Sequence, residues 1–340
     1  SFNAYDHIYN WSVEHAAKFW SYFSDFSEII FHKPHTEIVD DINKMPGATW
    51  FKNSELNFAE NLLKRRDTKN AIITIDESNN PKFISYKDLF EQVLKLAHFL
   101  KTLGVEKNDR VVAFMPNIAE TVIAMLATSS IGAIWSSCSP DFGVDGVLDR
   151  FKQIKPKILF FANGYQYNGK RINCKDKVTS IINKLPSIDK TIMVDYYGEK
   201  SVSLDNKDLY WNDIMANTET KEINFEPLPF DHPLYIMYSS GTTGKPKSIV
   251  HSAGGTLIQH LKELRLHTNI TNKDTVFYFT TCGWMMWNWL VSSLSLGATI
   301  VLYDGNPCYP KPESLLEIAD NLDFTVFGTS AKYISIKNSN

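Results

Sequence analysis

The chain has 340 residues, 44% hydrophobic and 21% charged, which is typical of a globular protein and predicts two domains with ample core. A formal net charge of −3 provides no basic surface, which argues against nucleic acid as a partner. The four cysteines (Cys138, Cys174, Cys282 and Cys308) have neither zinc-site nor disulfide-framework spacing, so they argue against both and predict a cytoplasmic protein.

The first predicted element is an N-terminal helical segment that spans residues 1–62 and packs on the main body. Aromatic residues in this segment recur at helical spacing: Trp11, His15, Phe19, Tyr22, Phe23 and Phe26. Such spacing places them on one face, which predicts an amphipathic helix rather than a cofactor site.

The second predicted unit, residues 63–230, alternates strands with helices. Strands are predicted at residues 71–75, 110–115, 133–136 and 157–161. Ser85 and Asp88 resemble a capping box, Gly104 suits a helix end, and Asn117 is expected to cap the next helix. This alternation predicts an α/β fold with largely parallel sheets flanked by helices. The polar stretch 195–231 is interpreted as a connecting region and a subdomain boundary.

The third predicted unit, residues 231–340, begins with a buried strand at 234–238 and has a helix with Leu257, Ile258, Leu261 and Leu264 on one face. Residues 275–303 carry no charge and are long enough to cross a membrane. Gly283 and Gly297 divide this stretch, so a buried β-α-β unit (276–280, 284–296 and 299–303) is preferred over a membrane span. A final strand is predicted at 324–327.

The most informative segment is Tyr-Ser-Ser-Gly-Thr-Thr-Gly-Lys-Pro-Lys, at residues 238–247. Glycines allow the backbone to approach a ligand, and hydroxyl and backbone N–H groups in such a turn converge on an anion. The segment therefore predicts a polyphosphate-binding loop; a flexible surface turn is the alternative. Its candidate residues are Ser239, Ser240, Gly241, Thr242, Thr243, Gly244, Lys245 and Lys247.

Two common nucleotide-binding loops do not fit this segment. A Walker A loop needs four residues between its glycines, whereas only Thr242 and Thr243 separate Gly241 from Gly244. No G-x-G-x-x-G pattern precedes a predicted helix, so a Rossmann dinucleotide site is unsupported.

The segment resembles the phosphate-loop signature of the acyl-adenylate-forming enzymes, which include acyl-CoA synthetases, luciferases and peptide-synthetase adenylation domains. Further segments are similar to the acetoacetyl-CoA synthetase branch of that family: Asn-Trp-Ser-Val at 10–13, Phe-Trp at 19–20, Leu-Asn-Phe-Ala-Glu-Asn-Leu-Leu at 56–63, Ile-Val-His-Ser-Ala-Gly-Gly at 249–255, Thr-Thr-Cys-Gly-Trp-Met-Met-Trp-Asn-Trp at 280–289 and Gly-Ala-Thr-Ile-Val-Leu-Tyr-Asp-Gly-Asn-Pro at 297–307. The resemblance runs along essentially the whole chain, which corresponds to about the first half of a family-length protein.

The resemblance implies the N-terminal part of the large domain of a ligase whose substrates are ATP, acetoacetate and CoA and whose cofactor is Mg²⁺. It places Trp284, Met285 and Met286 at the acyl pocket, with core packing as the alternative. Trp287-Asn288 replaces the Gly-His of acetyl-CoA synthetases, which favours a different small acid.

The resemblance assigns weaker roles to two further pairs. It aligns Lys170 and Arg171 with a CoA-binding turn, and a solvated charge pair is the preferred alternative. His251 and Ser252 also fit the pattern, although a histidine satisfied by its neighbours is preferred over a catalytic one.

The family's metal-binding glutamate, ribose-binding motif and C-terminal domain with its adenylation lysine are expected beyond Asn340. The chain alone is therefore expected to hold no metal ligand and to need a C-terminal remainder for activity. The alternatives are another short-chain or 3-oxo-acyl-CoA synthetase, and a degenerate nucleotide-binding module that does not adenylate.

Overall fold

A computed structural model describes residues 4–198, 208–219, 224–239 and 244–338 of the chain. Its helices are α1 (Tyr5–Glu14), α2 (Ala16–Phe26), α3 (Phe58–Leu62), α4 (Tyr86–Thr102), α5 (Ala119–Ser130), α6 (Val144–Ile154), α7 (Lys175–Asn183), α8 (Trp211–Asn217), α9 (Ala253–Lys262), α10 (Met285–Ser292), α11 (Ser314–Asn321) and α12 (Ala331–Asn338). Its strands are β1 (Phe31–Lys33), β2 (Glu37–Val39), β3 (Trp50–Lys52), β4 (Glu55–Leu56), β5 (Asn70–Asp76), β6 (Lys82–Ser85), β7 (Arg110–Phe114), β8 (Ile134–Cys138), β9 (Ile158–Ala162), β10 (Gly164–Tyr167), β11 (Lys170–Asn173), β12 (Lys190–Val194), β13 (Asp208–Tyr210), β14 (Leu228–Pro229), β15 (Pro233–Ser239), β16 (Lys247–Ser252), β17 (Thr275–Tyr278), β18 (Thr299–Asp304) and β19 (Val326–Gly328).

Two sheets dominate the described part of the chain. The seven-stranded sheet has the order β13-β12-β9-β7-β8-β15-β16, and the five-stranded sheet has the order β19-β17-β18-β5-β6. All neighbouring strands run parallel except the edge pairs β15–β16 and β5–β6. The α/β fold with largely parallel sheets flanked by helices is therefore confirmed.

Helix α5 joins the two sheets. All its residues except Glu120 are buried, and it contacts β8 of the larger sheet and β5 of the smaller one. A helix that is apolar on every side needs such surroundings, because any exposed face would leave apolar surface in water. The main core therefore lies between the two sheets.

Helix α4 covers one side of α5, and its start and end agree with the sequence signals. The Ser85 hydroxyl accepts a hydrogen bond from the Asp88 N–H at 3.0 Å, as an N-cap does. Gly104 follows the helix at φ +75°, a conformation that costs glycine little. The β-α-β unit predicted within 275–303 is also present as β17, α10 and β18. Within the described ranges, no helix combines the length and the apolar character needed to cross a bilayer.

The N-terminal segment is helical only in its first part. Helices α1 and α2 end at Phe26, where the aromatic periodicity also ends, and strands β1 to β4 follow before α3. Pro34 and Pro46 lie in this second part and do not suit a helix interior. The prediction of a helical segment through residue 62 is thus wrong for residues 31–56.

The boundary predicted near residue 231 does not separate the two sheets. Strands β5 and β6 pair with β18 from the other side of that position, and β15 and β16 join the sheet of β7 to β9. The stretch interpreted as a connection also contains β13 and α8, whose Trp211 and Ile214 are buried. The sequence did not predict β13 and α8, because this stretch is mostly polar and only a few of its apolar residues are buried.

Candidate active site

The predicted phosphate loop connects β15 to β16. Ser239 pairs with Lys247 at the base of the loop, and Gly244 has φ +128°, a conformation that favours glycine. Ser240, Gly241, Thr242 and Thr243 lie outside the described residues. Strand β15 is parallel to β8, and ligands of α/β sheets bind outside the carboxyl ends of such strands. The strand predicted before the loop is confirmed, with Leu234, Tyr235 and Ile236 buried.

Helix α6 holds the returning side of this loop. The Gln153 side chain donates a hydrogen bond to the Pro246 carbonyl at 2.8 Å and accepts one from the Ser248 hydroxyl at 2.9 Å. Lys245 is 81% exposed, and its Nζ lies 3.7 Å from an Asp149 carboxylate oxygen. An exposed ion pair of this kind contributes about 0–1 kcal/mol, so it would not hold the lysine away from a phosphate.

Asn117 connects the ends of strands from both sheets. Its Nδ2 donates hydrogen bonds to the carbonyls of Thr280 (3.3 Å) and Tyr303 (3.2 Å), and its Oδ1 accepts one from Trp287 Nε1 (2.9 Å). The predicted capping role is wrong, because Ile118 occupies the N-cap of α5 and the Asn117 side chain points to other elements. Asn117 instead fixes the start of α10 against β18 and the end of β7.

The turn before α10 rests on the ends of β7 and β8. The Ser137 hydroxyl donates to the Cys282 carbonyl at 2.7 Å, and the Cys282 thiol donates to the Met115 carbonyl at 3.2 Å. Burial raises the pKa of Cys282 well above its usual range, so this thiol is structural rather than nucleophilic. These bonds set the position of Trp284 and the residues that follow it.

The three predicted acyl-pocket residues differ in their surroundings. Trp284 is 62% exposed at the N-cap of α10, whereas Met285 and Met286 are half-buried. Met285, Met286 and Trp289 line an open cleft of about 730 Å³ with residues of β16 and α9. Core packing, the alternative weighed for this segment, is the role of Trp287, which is fully buried.

Polar side chains of β16, of α9 and of the residue after α9 also line this cleft: His251, Ser252, Thr256, Gln259, His260 and Glu263. His260 Nδ1 lies 2.8 Å from the Ser292 hydroxyl, and Gln259 donates to Glu263 at 3.2 Å. The His251 backbone pairs with β15, but its imidazole has no hydrogen-bond partner among the described residues. The histidine whose side chain is satisfied by its neighbours is therefore His260 rather than His251.

Burial determines the charge of both histidines. It lowers the pKa of His260 to about 4, and it lowers the pKa of His251 below its usual value. Both imidazoles are therefore neutral at pH 7, and each offers one N–H donor and one acceptor nitrogen.

The candidate CoA-binding residues lie on the β10–β11 hairpin. Lys170 and Arg171 are exposed on β11, and the Arg171 guanidinium lies 5.1 Å from the centre of the Tyr197 ring. The acyl cleft adjoins the strands that carry the phosphate loop, since the Asn288 amide donates to Met237 of β15 at 3.3 Å. The hairpin is attached elsewhere, at the carboxyl ends of β5 and β18, two inner strands of the five-stranded sheet.

Glu77, which follows β5, makes that attachment. Its carboxylate accepts hydrogen bonds at 2.7 Å from the backbone N–H groups of Asn168, Gly169 and Asn306. The tip of the hairpin is thus tied to the ends of β5 and β18. Sequence reasoning missed Glu77 and the linking role of Asn117. Glu77 directly follows β5 and Asn117 lies three residues after β7, and polar residues of a site are commonly found after the ends of strands.

Known proteins match the chain along nearly all of its length. The family described as AMP-binding enzyme matches residues 59–334, and the acetyl-coenzyme A synthetase N-terminus matches residues 5–62. Acetoacetyl-CoA synthetase of Gallus gallus is 45% identical over 98% of this chain and 51% of its own length. Malonamoyl-CoA synthetase of Penicillium aethiopicum is 39% identical over 99% of this chain and 50% of its own.

A solved structure gives the same result. Acetoacetyl-CoA synthetase from Streptomyces lividans matches with a TM-score of 0.95 and 40% identity, over 99% of this chain and 52% of that one. The chain thus spans about half the length of the relatives it matches. Because the family match covers most of the chain and includes both sheets and the loop, the chain belongs to the family of AMP-binding enzymes.

Proposed function

We propose that the protein to which this chain belongs is an acetoacetate–CoA ligase. The similarity to acetoacetyl-CoA synthetases along nearly the whole chain carries this proposal. In the first step, a carboxylate oxygen of acetoacetate attacks the α-phosphorus of ATP and pyrophosphate leaves, forming acetoacetyl-AMP. In the second, the sulfur of CoA attacks the acyl carbon, the thiol proton is lost, and AMP leaves with the former carboxylate oxygen. A C-terminal remainder completes this site in the proposal.

The phosphate loop acts in the first step. The Ser239, Ser240, Thr242 and Thr243 hydroxyls and the backbone N–H groups of Gly241 and Gly244 hold the β- and γ-phosphates, and Lys245 and Lys247 add positive charge. Groups placed in advance stabilise charge on the departing pyrophosphate without reorganising during the reaction. Mg²⁺ would neutralise part of the phosphate charge, but no group of three or more metal-ligating side chains occurs in the described ranges, so we assign it no ligand here.

The direct test of this function uses the full-length protein. Acid-dependent ATP–pyrophosphate exchange and acyl-CoA formation are measured with acetoacetate, malonamate, butyrate and acetate. We expect the highest kcat/KM with acetoacetate. A highest value with malonamate would support the second candidate, a ligase for another 3-carbonyl acid, which the similarity to malonamoyl-CoA synthetase favours. If none of these acids supports pyrophosphate exchange, both candidate functions are contradicted.

Trp284, Met285 and Met286 contact the acyl group in this proposal. Met286→Ala enlarges the cleft, so it is expected to shift relative kcat/KM from acetoacetate towards longer 3-oxo acids such as 3-oxohexanoate. The expected shift is about 10-fold, the discrimination that one methylene in a hydrophobic pocket provides. Met45→Ala is the matched control, because the Met45 side chain is 96% exposed. Identical acid preferences in wild type and Met286→Ala would contradict this assignment.

Lys170 and Arg171 bind the CoA phosphates in this proposal. Replacing both by alanine is expected to raise the KM for CoA by about 10-fold or more, since each charge-assisted hydrogen bond to phosphate is a strong one. Pyrophosphate exchange needs no CoA and should not change. Lys175→Ala, the next exposed lysine along the chain, is the control. An unchanged KM for CoA would leave the pair as solvated charges.

A further inference from the structure

We propose that His251 is a specificity-determining residue that donates a hydrogen bond to the 3-carbonyl oxygen of the acid bound in the cleft. This inference rests on the proposed function and adds the polar half of acid recognition to it. Met285 and Met286 supply only apolar contacts, and an apolar wall cannot distinguish a carbonyl from a methylene by attraction. A donor that lines the same cleft can make that distinction, because an analogue that lacks the carbonyl leaves the donor unpaired.

The hydrogen bonds already present favour His251 over its neighbours as that donor. The imidazole of His260 is bonded to Ser292, and the amide of Gln259 is bonded to Glu263. Thr256 is buried, which limits the access of a ligand to its hydroxyl. The His251 imidazole lines the same cleft and has no hydrogen-bond partner within the described ranges, so its ring N–H is available to a ligand.

Tyr235 places His251 at the methionine end of the cleft. The two ring centres lie 5.2 Å apart, and the Tyr235 hydroxyl lies 3.9 Å from the Met285 sulfur. His251 and Met285 therefore flank one tyrosine. Ser252, the next residue, lines this cleft and also a neighbouring aromatic cleft beside Trp20.

The chemistry of the two partners is complementary. A ketone oxygen only accepts hydrogen bonds, and a neutral imidazole supplies one N–H donor. Malonamate carries a carbonyl at the same position, whereas butyrate carries a methylene there. His251 is half-buried, so its hydrogen bond competes with water and is expected to contribute about 10- to 100-fold in kcat/KM rather than more.

The test measures acid-dependent ATP–pyrophosphate exchange by the full-length protein with acetoacetate, malonamate and butyrate. His251→Ala is expected to lower kcat/KM about 10- to 100-fold for the two acids that carry a 3-carbonyl and to leave butyrate within about threefold. His251→Gln keeps an N–H donor and should recover part of the preference. His7→Ala, which removes an exposed imidazole on α1, should keep the wild-type preference.

The outcomes separate this inference from the function on which it rests. Wild-type preference for acetoacetate over butyrate that persists in His251→Ala would overturn the inference alone. An equal loss of kcat/KM on all three acids, or no activity with any of them, would also overturn the inference if His251→Gln shows the same uniform loss. That pattern would mean that the His251 side chain acts through packing rather than through a hydrogen bond to the acid. If none of the three acids supports pyrophosphate exchange by the wild-type protein, the proposed function is overturned and this inference with it.

Discussion

Replacing Thr242 and Thr243 together by alanine in the full-length protein is expected to lower acetoacetate-dependent ATP–pyrophosphate exchange by about 10²–10³-fold. That range is the cost of removing a single preorganised donor to a developing negative charge. Because uniform binding contacts affect KM alone, a loss in kcat would indicate that the hydroxyls act on the departing pyrophosphate. The measurement is exchange of labelled pyrophosphate into ATP at saturating acid.

The control for this double variant is Thr179→Ala. The Thr179 hydroxyl is exposed and donates only to the Lys175 carbonyl of its own helix, α7. The Thr179→Ala substitution removes a threonine hydroxyl at a position far from the loop in sequence. An unchanged exchange rate in the Thr242/Thr243 variant would contradict the phosphate-loop assignment and, with it, the proposed adenylation.

Asn117→Ala is expected to lower the free energy of unfolding by about 2–4 kcal/mol. Asn117 is 4% exposed, and its loss leaves the Trp287 indole N–H and the Thr280 and Tyr303 carbonyls without this partner. A buried polar group that loses its partner costs about 1–3 kcal/mol, and several are affected at once. Urea unfolding of the full-length protein, followed by tryptophan fluorescence, measures the change.

Asn212→Ala serves as the comparison for that measurement, since Asn212 is exposed on α8. Surface substitutions of this kind usually change stability by less than about 0.5 kcal/mol. A change of similar size in Asn117→Ala would show that solvent replaces the three hydrogen bonds. Asn117 would then not hold α10 in place.

Local signals in the sequence predicted elements well where a pattern and its boundaries agreed. The helix that begins after Ser85 has an apolar face, a capping side chain at one end and Gly104 at the other, and α4 matches all three. The division of residues 275–303 into strand, helix and strand was correct for a similar reason, because glycines mark its joints.

Features that depend on distant partners were not predictable in this way. Periodicity identifies β5 as a strand, but nothing near it in sequence shows that its neighbour is β18. Strand β16 was missed because most of it is exposed and its pattern resembles a loop. The same limit applies to the site, since the bonds of Asn117 and Glu77 reach residues far along the chain.

The phosphate loop was the most predictable part of the site, because its residues are contiguous and its chemistry is visible in their order. The cleft was less predictable from the sequence. Met285 and Met286 could be named, but His251 lies on another strand, and its unpaired state appears only when its neighbours are placed. Specificity is therefore harder to predict from this sequence than reaction type.

The pairing of β5 with β18 has a consequence for how the protein forms during synthesis. Asn70 and Thr299 are hydrogen-bonded although they are 229 positions apart. At about 5–20 residues per second, the ribosome takes roughly 10–50 s to make the intervening chain. During that interval the β5–β6 pair has an open edge and an uncovered apolar surface. A nascent chain of this protein is thus a candidate for chaperone binding until its second half emerges.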